Sequence, residues 1–198
     1  ANNYAIYHPD NGTVNIQDSA TVSGKGGIQM CSGTLKISGS PTIEAIGKAD
    51  HETGAAGPIY DVAAISVVNR SYPGGAPAVT IKGTPTITAV DGEVIHAYTW
   101  SNNAESEWAE AAEYINVSGG TYSKAFNEAF LTADSSLVKN ADDGYTVELK
   151  KVAEYNGTQY TSLAQAILEA NASGGTVKLL DNVTLTNSLG IGGANAVT

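Results

Sequence analysis

The sequence predicts an all-β protein: a right-handed parallel β-helix, or β-solenoid, with three strands per turn. A small β-hairpin, α-helix and β-strand segment follows it and begins a second module. Two observations carry this prediction. The 198 residues include 22 glycines and many Val, Ile, Thr and Ser residues, a composition that favours strands and tight turns. A short pattern also recurs along the chain with its apolar residues at like offsets, as repeat architectures require.

The repeated unit is a short alternating strand, a polar turn and a second short strand. Full copies begin at Gly12, Gly33 and Pro77, a shortened copy at Tyr114 and a fifth copy at Gly175. Alternation directs one face of each strand inward. The inward residues superpose as Val14/Ile16/Val22, Leu35/Ile37/Ile43, Val79/Ile81/Ile87 and Val177/Leu179/Leu185.

A third strand type lies in the gaps, around Ile28, Ile65 and Ile95. One turn would then take about 21 residues, with each strand stacked on its equivalent at the ordinary interstrand spacing of roughly 4.8 Å. An antiparallel β-sandwich is the alternative, but it does not need like residues at like offsets. Segments 47–58, 70–77 and 101–112 are predicted as corner insertions, with Glu105 and Glu107 at the start of a short helix.

The pattern changes after Ala125, and we expect three parts: a β-helix over 1–131, a β connector over 132–151 and the second module over 152–198. Asn156-Gly157 predicts a two-residue hairpin turn. Ser162 and Gln165 predict a helix that starts with a capping box, and Gly174-Gly175 should end it. We expect the chain to be part of a longer protein.

The net charge of −10, with Arg70 as the only arginine, argues against nucleic acid and against an anionic membrane surface as partners. No apolar run is long enough to cross a bilayer. Cys31 is the only cysteine, so no intrachain disulfide forms. We expect a monomer without cofactor; a structural calcium ion stays an open alternative.

The segment from Val117 to Leu185 carries a family resemblance. Its motifs are a Gly-Gly-Thr-Tyr segment from Gly119, an Asp-Gly-Tyr-Thr-Val strand from Asp143 and a Tyr-Thr-Ser-Leu-Ala-Gln-Ala-Ile helix from Tyr160. This order resembles the tandem β-helix modules of large, adhesin-like surface proteins of gut-type bacteria. The resemblance implies a pectin-lyase-like fold and an extracellular location, with host or cell-surface proteins as candidate partners. It implies no catalytic residue.

A carbohydrate-active β-helix, a polysaccharide lyase or glycoside hydrolase with its site elsewhere or lost, is the main alternative function. The chain offers little to support catalysis. Asp142-Asp143 precedes Gly144 as a turn would. Asp50, His51 and Glu52 are consecutive residues that cannot all face one ion, and Arg70 lies in a Pro/Gly loop expected to be exposed.

Two surfaces are candidate binding sites. The first is an aromatic face for sugar stacking, and it is formed by Tyr72, His96, Tyr98, Trp100 and Trp108. The second is a row of threonines that would stack outward, Thr21, Thr42, Thr86 and Thr121, and ice or water-surface binding is the third functional hypothesis. The leading hypothesis is a non-catalytic extracellular scaffold with glycans as candidate ligands.

Overall fold

The structure is a computed structural model that describes residues 4–48 and 61–192. It separates into two compact units, Ala1–Glu148 and Leu149–Thr198. Strands dominate the described residues, and the helices among them are few. The elements of the first unit, in chain order, are β1 (Tyr4–His8), β2 (Thr13–Ile16), β3 (Thr21–Gly24), β4 (Gly26–Met30), β5 (Thr34–Ile37), β6 (Thr42–Ala45), β7 (Ile65–Asn69), β8 (Ala78–Ile81), β9 (Thr86–Ala89), β10 (Ile95–Ser101), β11 (Ala104–Glu107), α1 (Ala111–Tyr114), β12 (Ile115–Val117), β13 (Thr121–Tyr122), a 3-10 turn (Glu128–Phe130), β14 (Ser135–Lys139) and β15 (Tyr145–Leu149).

Over the described residues the chain passes four times through three sheets, and from β1 to β13 each pass adds one parallel strand to each sheet. Three further described strands extend the edges: β11 in the first sheet, and β14 and β15 in the third. The first sheet has the order β1-β4-β7-β10-β11, the second β12-β8-β5-β2 and the third β14-β15-β13-β9-β6-β3. Strands of successive passes pair in parallel in all three sheets. The predicted β-rich fold with parallel sheets is confirmed, and an antiparallel sandwich does not account for these ladders.

The register stacks like residues on like residues. In the second sheet Ile16 pairs with Ile37, and Ile37 pairs with Ile81. In the third sheet Val22, Ile43 and Ile87 align in the same way. The inward superposition predicted for the first three copies is therefore confirmed. One buried apolar cluster takes side chains from all three sheets, so the core lies between them.

The predicted threonine row is also in register. Thr21 pairs with Thr42, Thr42 with Thr86, and Thr86 with Thr121. Their neighbours one position along each strand lie in the core, so the threonine side chains project to the opposite face of the sheet. Thr121 pairs in addition with Thr146 of the antiparallel strand β15.

One local prediction for the first unit differs from the structure. Glu105 and Glu107 lie in β11, a strand that pairs antiparallel with β10, and do not start a helix. The two-residue turn between these strands, Asn102-Asn103, has φ values of 51° and 58°. Asparagine tolerates this left-handed conformation better than most residues, so the hairpin prevails over the acidic helix signal. The predicted connector, 132–151, contributes β14 and β15 to the third sheet.

The second unit contains β16 (Ala153–Tyr155), β17 (Thr158–Tyr160), α2 (Leu163–Ser173) and β18 (Val177–Leu179). The hairpin predicted at Asn156-Gly157 is confirmed, with both residues at positive φ. Ser162 caps α2 by accepting a hydrogen bond from the amide of Gln165 at 3.4 Å. The reciprocal half of the predicted capping box is absent, because the Gln165 side chain donates to Glu169 at 3.0 Å.

The fifth copy does not continue the pattern of the first three. β18 pairs antiparallel with β16, and the predicted inward residues Leu179 and Leu185 are 58% and 51% exposed. Antiparallel pairing with the hairpin orients this strand, since its neighbour in the sheet of the described residues is β16 of that hairpin. The predicted inward position is therefore wrong for Leu179 and Leu185, whereas Val177 is partly buried and packs against the apolar cluster of the second unit.

Candidate functional site

The outer face of the first sheet is buried, in contrast to the outer faces of its two neighbours. Gln29 and Ser66 are cross-strand partners in this sheet, and Ser66 also pairs with His96. Gln29 and Ser66 are both 0% exposed. Lys36 and Thr80 occupy the equivalent outward position of the second sheet, where both side chains are exposed. Burying polar groups costs free energy unless they form hydrogen bonds, so this face needs an internal network.

That network is a chain of side-chain hydrogen bonds, hereafter the polar chain. Gln29 Nε2 donates to Ser66 Oγ at 3.4 Å, and Ser66 Oγ donates to Asp61 Oδ2 at 2.8 Å. His96 Nδ1 lies 2.9 Å from the same carboxylate oxygen, and His96 Nε2 lies 3.1 Å from Glu105 Oε1. One imidazole therefore bridges two carboxylates.

Three different elements bring these groups together. Asp61 precedes β7, and its Oδ1 accepts the amide of Ala63 at 3.1 Å, which fixes the carboxylate in a local turn. His96 lies on β10, beside Ser66 of β7. Glu105 lies on β11, where the hairpin register places it opposite Trp100. The hairpin thus returns the chain to the outer face next to the imidazole.

The electrostatics favour a charged imidazole. Burial alone would lower the pKa of His96, but the hydrogen bond and charge of Asp61 act against it. Together with the charges of Glu93 and Glu105, they raise the pKa above the ordinary value of 6.5. A protonated His96 donates one hydrogen bond to each carboxylate, so the bridge joins β11 to the segment before β7 most strongly when His96 is charged.

Replacing His96 by glutamine should remove a pH-dependent part of the stability of the first unit. Because the folded state raises the pKa of His96, the stabilisation is fully present below pH 6.5 and is lost as the pH rises through the folded-state pKa. The difference in free energy of unfolding between the native chain and His96→Gln should therefore be largest below pH 6.5 and shrink as the pH rises above that value. Urea unfolding at several pH values measures it.

Asp61→Asn should flatten the same pH dependence, because it removes the first partner of the imidazole. His8→Gln is the matched control, since it removes a histidine outside the polar chain and should leave the dependence in place. A stability difference for His96→Gln that is constant with pH would show that the bridge does not depend on protonation.

An aromatic cluster continues the outer face beyond the polar chain. It contains Tyr98, Trp100, Cys31 and Val68, with Tyr7 and Tyr72 packed against them. The Arg70 guanidinium lies 5.9 Å from the ring centroids of Tyr72 and of Trp100, and Nη1 donates to the Tyr72 hydroxyl at 3.1 Å. Arg70 is therefore partly buried, and the expectation of an exposed arginine is wrong: two aromatic faces hold it by cation–π contact.

Burial raises the pKa of the Cys31 thiol and of the Tyr7 hydroxyl in this cluster. Desolvation is the main cause that raises the pKa of the Cys31 thiol to about 11. Desolvation, assisted by the neighbouring Cys31 and Tyr72, raises the pKa of Tyr7 to about 12. A reactive cysteine needs a thiolate at neutral pH, so Cys31 serves here as a small packed side chain.

Four of the five predicted site residues come together, and one does not. Tyr72, Tyr98 and Trp100 lie in the aromatic cluster, and His96 stacks on Tyr98 with ring centroids 4.5 Å apart. Trp108 lies in the main core, 5.2 Å from the ring of Tyr114. Tyr98, Trp100 and Trp108 are 1%, 8% and 5% exposed, so their ring faces pack against protein instead of facing solvent.

The polar chain contains a serine, an aspartate and a histidine, but not in the order that activates a nucleophile. Ser66 donates to Asp61, whereas a catalytic serine must donate to the histidine. Sequence reasoning missed Asp61 and Ser66, and it assigned Glu105 only to the start of a short helix. No spacing rule links these residues, because the register of β7, β10 and β11 brings them together. The arrangement can hold and move a proton between two carboxylates through His96.

No group of three or more His, Cys, Asp or Glu side chains suitable for a metal ion occurs within residues 4–48 and 61–192. The Asp50, His51 and Glu52 trio considered from the sequence lies outside the described residues. Among the helices that the structure describes, none is long and apolar enough to cross a membrane. No protein-family model, curated protein or solved structure matches the chain.

Proposed function

We propose that this chain is a non-catalytic extracellular module, a rigid β-solenoid scaffold that presents its outer faces to glycans or to cell-surface proteins. The observation that carries this proposal is the like-on-like register of the three parallel ladders. When each pass packs its apolar side chains against those of the neighbouring passes, the passes form a stiff, quasi-one-dimensional body. Such a body can hold other domains at a distance without any chemistry of its own.

The finer fold that we propose is a right-handed parallel β-helix with three strands per turn. A connection between parallel strands of one sheet is right-handed in about 98% of cases. In this chain the connection between consecutive parallel strands of one sheet runs through the other two sheets, so the same rule applies to it. The resemblance to adhesin-like bacterial surface proteins with pectin-lyase-like modules supports the same fold. It also supports placement at a bacterial cell surface or in the secreted fraction.

A carbohydrate-active module is the second candidate, and the polar chain favours it. Asp61 and Glu105 are two carboxylates on the outer face of one sheet, and a histidine with a raised pKa lies between them. Paired carboxylates are the groups that glycoside hydrolysis uses. Against this candidate, both imidazole nitrogens are engaged by these carboxylates, which leaves neither nitrogen for a substrate in this arrangement.

Ice or water-surface binding through the threonine row is the third candidate. Thr21, Thr42, Thr86 and Thr121 stack in register on one face. The next outward row, Ser23, Glu44 and Thr88, places a carboxylate among the hydroxyls. The threonine column is therefore a single row, and we rank this function below the other two. Crystal-growth measurements on ice with native chain and Thr86→Lys would test it.

Product analysis separates the scaffold from the enzyme. We expect the native chain to release neither unsaturated nor reducing ends from polygalacturonate or from neutral polysaccharides, with or without added calcium. New ends that appear with the native chain and disappear with Asp61→Asn would contradict the scaffold proposal and establish the enzyme. New ends that persist in Asp61→Asn would also contradict it, and would place the active groups outside the polar chain.

A further inference from the structure

The outer face of the second sheet carries a polar trough of about 250 Å³ that contains two lysines. Its remaining polar lining comes from the amides of Asn15 and Gln17 and the hydroxyls of Ser38 and Thr80. The register places Lys36 between Asn15 and Thr80 on neighbouring strands. Lys82 follows Thr80 by two residues, so it lies diagonally across from Lys36 on the same face.

These two lysines differ from others whose role the structure explains. Lys124 Nζ donates to the carbonyl oxygens of Val90, Asp91 and Gly92 at 2.8–3.0 Å, which fastens a turn. Lys139 pairs with Asp143 at 2.8 Å. Among the described residues, no carboxylate lies within 4.0 Å of the ammonium group of Lys36 or Lys82. The trough is a locally cationic surface on a chain whose net charge is −10.

We infer that this trough binds an acidic saccharide, with Lys36 and Lys82 contacting its carboxylate or sulfate groups. The inference deepens the proposed function, because it names the face and the glycan class, and it rests on that proposal only in taking glycans as ligands. The amides and hydroxyls beside the lysines both donate and accept hydrogen bonds, which suits the hydroxyls of a sugar. A nucleic acid would meet repulsion from the rest of the chain and find only two cations.

The second sheet also suits an extended ligand. The outward positions Asn15, Lys36, Thr80 and Asn116 are successive cross-strand partners in one row. Neighbouring strands are about 4.8 Å apart, so the row presents polar groups at regular steps across the sheet. A chain of sugar units lying across the strands would meet a new polar side chain at each step.

The test is a titration of the full chain with a short oligogalacturonate at low ionic strength. Amide chemical shifts and isothermal calorimetry monitor the binding. We expect shifts at Lys36, Thr80 and Lys82, and binding that weakens when salt shortens the screening length to about 3 Å at 1 M. The double variant Lys36→Gln/Lys82→Gln should bind about tenfold more weakly, since each exposed charge contact contributes modestly. All four lysines chosen for substitution, here and in the control, are exposed.

Lys151→Gln/Lys178→Gln is the matched control. It removes the same charge from exposed positions of the second unit and should retain most of the affinity. A malto-oligosaccharide of equal length should bind more weakly than the oligogalacturonate, because it lacks carboxylates. Equal loss of affinity in the two double variants, equal binding of the neutral sugar, displacement by equimolar sulfate, or no binding by the native chain would each overturn the inference. None of these outcomes alters the product analysis that tests the scaffold proposal.

Discussion

Replacing Ile81 by alanine should lower the free energy of unfolding of the first unit by about 3 kcal/mol, within the range of 2–5 kcal/mol for isoleucine in a packed core. The Ile81 side chain is 0% exposed. In the second sheet its strand lies between two others, with Ile37 on one side and Val117 on the other. Parallel strands on both sides fix its backbone, so the neighbours can close only part of the cavity that the substitution leaves.

Thr80→Ala is the matched control for this substitution. Thr80 precedes Ile81 on the same strand but faces outward and is exposed, so its truncation should change the free energy of unfolding by no more than about 0.5 kcal/mol. Urea unfolding followed by far-ultraviolet circular dichroism measures both. Similar losses for the two variants would contradict the assignment of the inner and outer faces of this strand.

Replacing Gly83 by alanine should cost about 3 kcal/mol or more, because two separate penalties combine there. The residue has a φ of 85°, and a side chain in that left-handed conformation costs roughly 1–2 kcal/mol. A Cβ atom on Gly83 would also lie 2.5 Å from the carbonyl oxygen of Gly39, in the turn of the preceding pass. That oxygen belongs to the backbone, so relief requires the two stacked turns to separate.

Gly75 provides the control, since it has nearly the same conformation without the crowding. Its φ is 82°, and a Cβ atom there would meet nothing within 4 Å. Gly75→Ala should therefore cost only the conformational part, about 1–2 kcal/mol. The difference between the two variants measures how closely successive turns stack. Equal costs in urea unfolding would show that the turns at Gly39 and Gly83 are not in contact.

The repeat could be predicted from the sequence because like residues recur at like offsets. Ile16, Ile37 and Ile81 share one inward position, and that alignment became a ladder of Cα partners. The hairpin at Asn156-Gly157 and the cap at Ser162 followed from local backbone chemistry, which acts within a few residues. These features depend on neighbours in sequence or on exact repetition, and a single sequence contains both.

The candidate site could not be predicted in the same way. Asp61, His96 and Glu105 come together through the strand register and through the β10–β11 hairpin. The acidic residues of segment 101–112 had predicted a helix start in place of that hairpin. The sequence predicted the aromatic residues of the site but not their burial, because alternation along a strand does not show which outer face of a sheet is covered by other residues. The inward position predicted for Leu179 was wrong although its spacing repeats the inward pattern, because its strand β18 pairs antiparallel with β16 of the hairpin instead of with a preceding parallel strand.

The parallel stacking of successive passes is tested most directly by nuclear Overhauser contacts between backbone protons in solution. We predict contacts that join Leu35 with Val79 and Thr42 with Thr86, with the paired residues advancing in the same direction along both strands. The β10–β11 hairpin should give close Hα–Hα contacts of the antiparallel kind, which serve as an internal reference. Close Hα–Hα contacts between β5 and β8 or between β6 and β9, with partners advancing in opposite directions, would contradict the stacked parallel fold.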